Sequence, residues 1–383
     1  MAELSAEALA IHQSALIIDG HADTPQRFLD DGWSFCDPLL GGHLNLESAR
    51  AGNLAAEFFA LWVDPAEHPQ GTHAARALAL GHAVLQQIRL HPDQLQLCLT
   101  PDDIVEAHAA GRFGVLLSVE GGHAIENSLE KLAEFYTLGV RSMTLTWNNA
   151  NDWADSSAEP PRHTGLTDFG REVIATMNRL GMIVDISHAS DRTFWDTLKA
   201  SSAPIVATHS CAHALNASHR NLTDDQLRGL AANGGVCMVN FYPAFLDDGY
   251  RQAWNLLEAE RTRLQAEIEL PFRAAGMPVP FSVGGRADRQ SAEKMEPVPL
   301  ARLIDHFEHI IRVAGIDHVG LGSDFDGISS LPAGLESAAD LPRITHALHE
   351  RGYSREDLHK LLGGNLLRVF RTVQACASAP NNA

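Results

Sequence analysis

The chain has 383 residues, 45% hydrophobic and 20% charged, enough material for two ordinary domains or one large α/β barrel. Its 29 basic residues against 48 acidic ones leave a formal charge of −19, which argues against a nucleic-acid backbone or an anionic membrane as the main partner. No apolar run approaches the length of a membrane span, and Cys36, Cys98, Cys211, Cys237 and Cys376 are scattered without a CxxC pair, so they read as free thiols in a soluble protein.

The first residues, "MAELSAEALAIHQ", lack a basic region followed by an apolar one. A cytoplasmic location is the expectation, periplasmic if a leader has been removed. Apolar, β-rich runs predict eight strands, near Ala15–Asp19, Leu54–Val63, Gly114–Val119, Ser142–Thr146, Met182–Ser187, Ile205–Thr208, Val236–Tyr242 and Val319–Gly322. Helical spacing lies between several of them. Phe169, Val173, Ile174, Met177 and Leu180 form one stripe behind Thr167 as a cap, and Thr223 and Gly234 bracket another helix. Strands alternating with helices imply parallel pairing, and eight such units predict a single (β/α)8 TIM-type barrel over residues 1–383. The rhythm breaks at 243–297, a charged helical piece followed by "MPVPFSVGGRADRQ", expected as an insertion between the seventh and eighth strands; the tail "SAPNNA" is expected to fray.

Chemistry in such a barrel is built where strands end. The first predicted strand ends in "DGHADT", whose His21 and Asp23 share a face because extended chain alternates. The third ends in Glu120, the fifth in His188, the sixth in His209 and the eighth in Asp324. Buried carboxylates without a counter-charge cost several kcal/mol each, so a cluster of three acids and three histidines points to cations. His21, Asp23, Glu120, His188 and His209 are too many for one catalytic zinc with an open position, and Glu120 can bridge two ions about 3.5–4 Å apart. His73, His82, His91 and His108 are expected to be solvated, and His123 is open between a loop surface and a place behind the ligands.

The ordered motifs "DGHADTP", "VEGGH", "ISHAS", "ATHSCAHAL", "SHRNLTDD", "VNFY", "GLGSDFDG" and "GGNLLRVF" run from residue 19 to 370. Together they resemble the membrane (renal) dipeptidases of peptidase family M19, within the amidohydrolase-type barrels, in a bacterial form without the animal enzymes' disulfides or anchor. The resemblance implies two Zn2+ per chain, or another divalent metal. His21 and Asp23 would hold one ion, His188 and His209 the other, and Glu120 would bridge. It further implies hydrolysis of a dipeptide, including one with a D-residue at its C-terminal position, by a metal-bridging hydroxide. Asp324 would be the acid/base and Arg220 the holder of the substrate carboxylate, with Tyr242 of "VNFY" also at the substrate site. A homodimer is a family expectation.

One departure stands out. The family often has a histidine after the fourth strand that contacts the scissile carbonyl, and "LTWNNAN" places Trp147 there. A narrowed, more selective pocket is the expectation, and a non-hydrolytic role in tailoring a peptide natural product stays open. A binuclear amidohydrolase acting on a lactone, cyclic amide or ester is the other alternative. Its common carboxylated-lysine bridge is disfavoured, because Lys131, Lys199, Lys294 and Lys360 all lie in helical segments.

Overall fold

The computed structural model describes residues 4–377, so the expectation for the tail lies outside the described residues. Nine strands form among the described residues, all but β3 buried along most of their length: β1 Ile17–Ala22, β2 Leu54–Trp62, β3 Leu95–Leu97, β4 Phe113–Glu120, β5 Val140–Thr144, β6 Ile183–Asp185, β7 Val206–Ser210, β8 Val236–Val239 and β9 Val319–Leu321. All pair in parallel in the order β2-β1-β9-β8-β7-β6-β5-β4, and β2 returns to β4 to close an eight-membered ring. Near-continuous apolar runs suit this pairing, because strands covered on both faces have no polar side to present. The chain is a (β/α)8 barrel.

The extra strand, β3, lies outside the ring. Leu95–Leu97 pairs with Phe113–Val115 at the foot of β4, and β5 takes up the same edge from Leu117 onward.

Local signals place the helices. Thr167 accepts a hydrogen bond from the Gly170 backbone at the start of Asp168–Leu180, which ends at Gly181 in the left-handed conformation (φ 75°). Thr223 and Gln226 form a reciprocal capping box ahead of Asp224–Ala232, and Gly234 follows at φ 83°. Apolar packing then divides in two. The larger cluster joins strands to surrounding helices, whereas a second draws Ile18, Phe58, Leu116, Ile183, Val206 and Met238 from strands around the ring and so fills its inside. The helix Asn365–Ala375 closes the floor, with Phe370 against Phe58 at 6.3 Å between ring centroids.

Between β8 and β9 the chain runs through the helices Pro243–Leu246, Asp248–Leu256, Glu258–Ala274, Phe281–Gly284 and Arg286–Ala292 before Leu300–Ala314. None of the residues in Glu258–Ala274 is fully buried. Polar ties attach this stretch to the barrel loops: Arg273 Nη2 to Glu67 at 2.9 Å, and Ser282 Oγ to Asp31 at 3.1 Å. No helix among the described residues is long and apolar enough to cross a membrane. The five cysteines are free.

Candidate metal centre

The C-terminal ends of the strands open into a cavity of about 750 Å³. Asp23, Glu120, Trp147, His188, His209, Arg220, Tyr242 and Asp324 all line it, and His21 lies directly behind. The structure therefore brings the candidate ligands, Asp324, Arg220, Trp147 and Tyr242 to one place.

Glu120 sits in the middle. Its Oε2 is 3.4 Å from His21 Nε2, while its Oε1 is 3.1 Å from His188 Nε2 and 3.6 Å from His209 Nε2. Asp23 Oδ2 is 3.5 Å from His21 Nε2, and the two ring nitrogens of His188 and His209 approach to 2.9 Å. Two overlapping groups each bring three donor atoms within 4.8 Å of one another: His21, Glu120 and His209, and His21, Asp23 and Asp324.

Burial and charge act on these groups in opposite directions. Burial lowers His21, but the carboxylates of Glu120 and Asp23 outweigh it and hold the imidazole well above its ordinary value. Glu120 is the mirror case, raised by burial and carried far below the carboxylate range by His21 and His188. Asp23 is pushed up to about 7 by burial and by Glu120, and Asp324 is raised by burial despite the opposing pull of His21. His188 falls to about 3 through burial and the nearby Arg220 guanidinium, and burial also takes His209 well below the usual range. Positive charge is wanted at His21 Nε2, between carboxylates, and refused at the other two rings.

Divalent cations fit this donor set. Both ring nitrogens of His21 and Oδ1 of Asp23 are buried without a hydrogen-bond partner among the described residues, which in water-excluded surroundings is costly; a cation taking the one lone pair of the imidazole and that of the carboxylate oxygen relieves most of it. The backbone supports the same placement. His188 (φ 66°) and Asp324 (φ 63°) both sit in the left-handed region, a strain of about 1–3 kcal/mol each for residues other than glycine.

Around this cluster lie residues with distinct surroundings. Asp324 Oδ2 accepts a hydrogen bond from Asn240 Nδ2 at 2.9 Å. Arg220 is buried in the loop after β7; its Nη2 donates to the His209 carbonyl at 3.3 Å, its guanidinium stands 5.3 Å from the Phe245 ring, and its Nε and Nη1 have no partner among the described residues. Tyr242 packs edge-on against Phe245 at 5.1 Å, and burial raises its hydroxyl above the usual range. Trp147, half-buried after β5, leans on Trp62 at the end of β2.

Some residues here escape a reading of the sequence. Asn240, Trp62 and Asp185 belong to the site through partners on other strands; the Asn of "VNFY" and the Asp of "VDISH", polar positions inside apolar runs, are the available signals. His73 corrects an expectation: it is buried rather than solvated, because its helix packs beneath the loop after β4, where His73 meets the His123 ring at 5.1 Å and pairs with the His68 carbonyl at 2.9 Å. His123 is buried as well, its Nε2 on the Val63 carbonyl at 2.9 Å, so it braces loops rather than facing the cavity.

Comparisons with known proteins agree with this geometry. The probable dipeptidase PvdM from Pseudomonas aeruginosa is 28% identical, with a TM-score of 0.84 over 97% of this chain and 98% of its own. Dipeptidase AC, a metallopeptidase of family M19, is 28% identical with a TM-score of 0.77 over 94% of this chain and 99% of its own. A metallopeptidase from Rhodobacter sphaeroides, solved with a phosphinate mimic of the dipeptide L-Ala-D-Ala, is 27% identical with a TM-score of 0.75 over 94% of this chain and 99% of its own. The family model for membrane dipeptidase, peptidase family M19, matches residues 5–383. With its barrel closed and its histidines and carboxylates gathered at one mouth, the chain belongs to the membrane dipeptidase family, the metal-dependent hydrolases of peptidase family M19.

Proposed function

We propose that this protein is a binuclear zinc dipeptidase, with His21 and Asp23 on one ion, His188 and His209 on the other, and Glu120 shared. The observation that carries the reading is the placement of Glu120, whose Oε2 faces His21 while its Oε1 faces His188 and His209. Such ions supply Lewis acidity and lower the pKa of a bound water from 15.7 to about 7.

The chain's own residues do the rest. Arg220 offers two unpartnered N–H-bearing nitrogens in a buried setting, suited to a bidentate pair with the free carboxylate of a dipeptide. That contact limits the substrate to one residue past the scissile bond. Asp324, raised by burial, can hold a proton at Oδ1 while Asn240 fixes Oδ2, and can deliver it to the leaving amine nitrogen. Tyr242 stays neutral and shapes the wall beside Arg220 together with Phe245. Residues 243–297, read as an insertion in a single barrel domain, contribute Glu269, Arg273, Phe281 and Asp288 to the outer wall. A D-residue at the C-terminal position is consistent with the L-Ala-D-Ala mimic bound by the Rhodobacter sphaeroides relative.

The test is zinc content by elemental analysis together with turnover of L-Ala-D-Ala, L-Ala-L-Ala and their amides. Two ions per chain and hydrolysis of the free acids are expected. Full activity with one ion, or none, would overturn the binuclear reading.

A further inference from the structure

Behind the metal cluster runs a hydrogen-bond chain that none of these roles uses. His209 Nδ1 lies 2.9 Å from Thr208 Oγ1, which lies 2.5 Å from Asp185 Oδ2. Asp185 is wholly buried, and its oxygens also accept from Thr144 Oγ1 at 2.7 Å and from the backbone N–H groups of Ser187 at 2.9 Å and Thr208 at 3.0 Å. A carboxylate receiving four donors offers none, so the Thr208 hydroxyl gives its single proton to Asp185 and can only accept from His209. His209 therefore carries its proton on Nδ1. Its Nε2 lone pair is left facing Glu120 Oε1 and His188 Nε2. His188 is oriented alike, its Nδ1 on Asn148 Oδ1 at 2.9 Å. Two nitrogen lone pairs and a carboxylate oxygen thus converge with no proton to separate them.

The other half of the centre is built differently, since neither ring nitrogen of His21 has a hydrogen-bond partner among the described residues. Asp185 ends β6, in register with Thr144 of β5 and Val206 of β7, so the aim of the His209 ring is tied to three strands rather than to one flexible side chain.

We infer that Asp185 and Thr208 are positioning residues: the chain Asp185–Thr208–His209 fixes the Nδ1–H form of His209 and sets how tightly the His188–His209 half of the site holds its divalent ion. This rests on the metal reading proposed above. Partners of this kind, one step behind a ligating imidazole, change metal affinity by about 10–100-fold when removed.

The experiment titrates zinc into the metal-free protein against a chromophoric chelator, for the parent, Thr208→Val and Thr208→Ser. Two ions in the parent, one of them weakened 10–100-fold in Thr208→Val, and parent-like binding in Thr208→Ser are expected. Equal retention of both ions by Thr208→Val overturns the inference, as does a Thr208→Ser protein that loses the ion in the same way. A parent that binds no divalent ion in this titration overturns the metal reading itself. Should Thr208→Val not fold, the 15N resonances of histidine-labelled, metal-free parent decide: a His209 ring protonated on Nδ1 supports the relay, and one protonated on Nε2 overturns it.

Discussion

Trp147 packs on Trp62 with ring centroids 5.0 Å apart and planes tilted by 55°, and the same indole stands 6.4 Å from the ring of His188. The pair spans the β2, β4 and β5 side of the cavity, so the bulk of Trp147 forms a wall shared with Trp62 next to the metal cluster. An indole N–H donates but cannot titrate, which sets this position apart from one holding an imidazole. Trp147→His is expected to widen the accepted set of dipeptides, shifting kcat/KM ratios between large and small side chains by about tenfold. Unchanged ratios, whatever the absolute rates, would show that Trp147 does not shape the substrate site.

Glu120→Gln removes the charge that faces both halves of the centre. Both ions are expected to weaken together, leaving fewer than one zinc per chain at a concentration that saturates the parent, with activity falling in step. Elemental analysis after dialysis checks this; loss of one ion with the other intact would show that Glu120 serves a single site.

Arg220→Ala should cost about 1.5–3 kcal/mol of transition-state binding for a free-acid dipeptide, roughly ten- to a hundredfold in kcat/KM. The corresponding amide, already poor for the parent, should lose far less. Equal losses on acid and amide would remove the carboxylate-binding role.

His306 gives a pH-dependent contribution away from the candidate metal centre. It is buried, accepts the Ala212 N–H on Nδ1 at 3.1 Å and faces the Leu246 carbonyl with Nε2 at 3.0 Å, and burial lowers it from 6.5 to about 4. Between those values the unfolded chain binds a proton that the folded chain refuses. The contribution of His306 is therefore present above about pH 6.5 and lost as pH falls toward 4, by about 3 kcal/mol at most. In urea unfolding of metal-free protein, His306→Gln should cost stability at pH 7, and its difference from the parent should shrink toward pH 4. A difference independent of pH would dismiss this origin.

Much of the architecture is legible in the sequence because buried parallel strands leave dense apolar runs, and all eight ring strands lie within a few residues of where those runs fall. β3 is not, since "LQL" is three residues long and pairs on one edge only, too little to leave a pattern. Among site residues, those standing at strand ends show themselves by position. Asn240 does not, because its meaning is a hydrogen bond to Asp324, 84 residues away. A buried arginine in an irregular loop has no spacing signature either, so Arg220 stands out only through its "SHRN" motif. His73 misleads for a related reason: helical spacing locates a face, and here the packing of the loop after β4 decides whether that face meets solvent.

The stretch over the cavity mouth is held in a different currency from the barrel beneath it. Glu258–Ala274 has no fully buried residue; its Arg273 pairs with Glu269 inside the helix and with Glu67 outside it, and its Arg261 pairs with Asp288 of the neighbouring helix, whereas the ring below is fastened by apolar packing. Exposed ion pairs fade as salt rises, and apolar contacts do not. Ionic strength is thus expected to act on the Arg273–Glu67 tie at the cavity mouth before it acts on the apolar ring beneath.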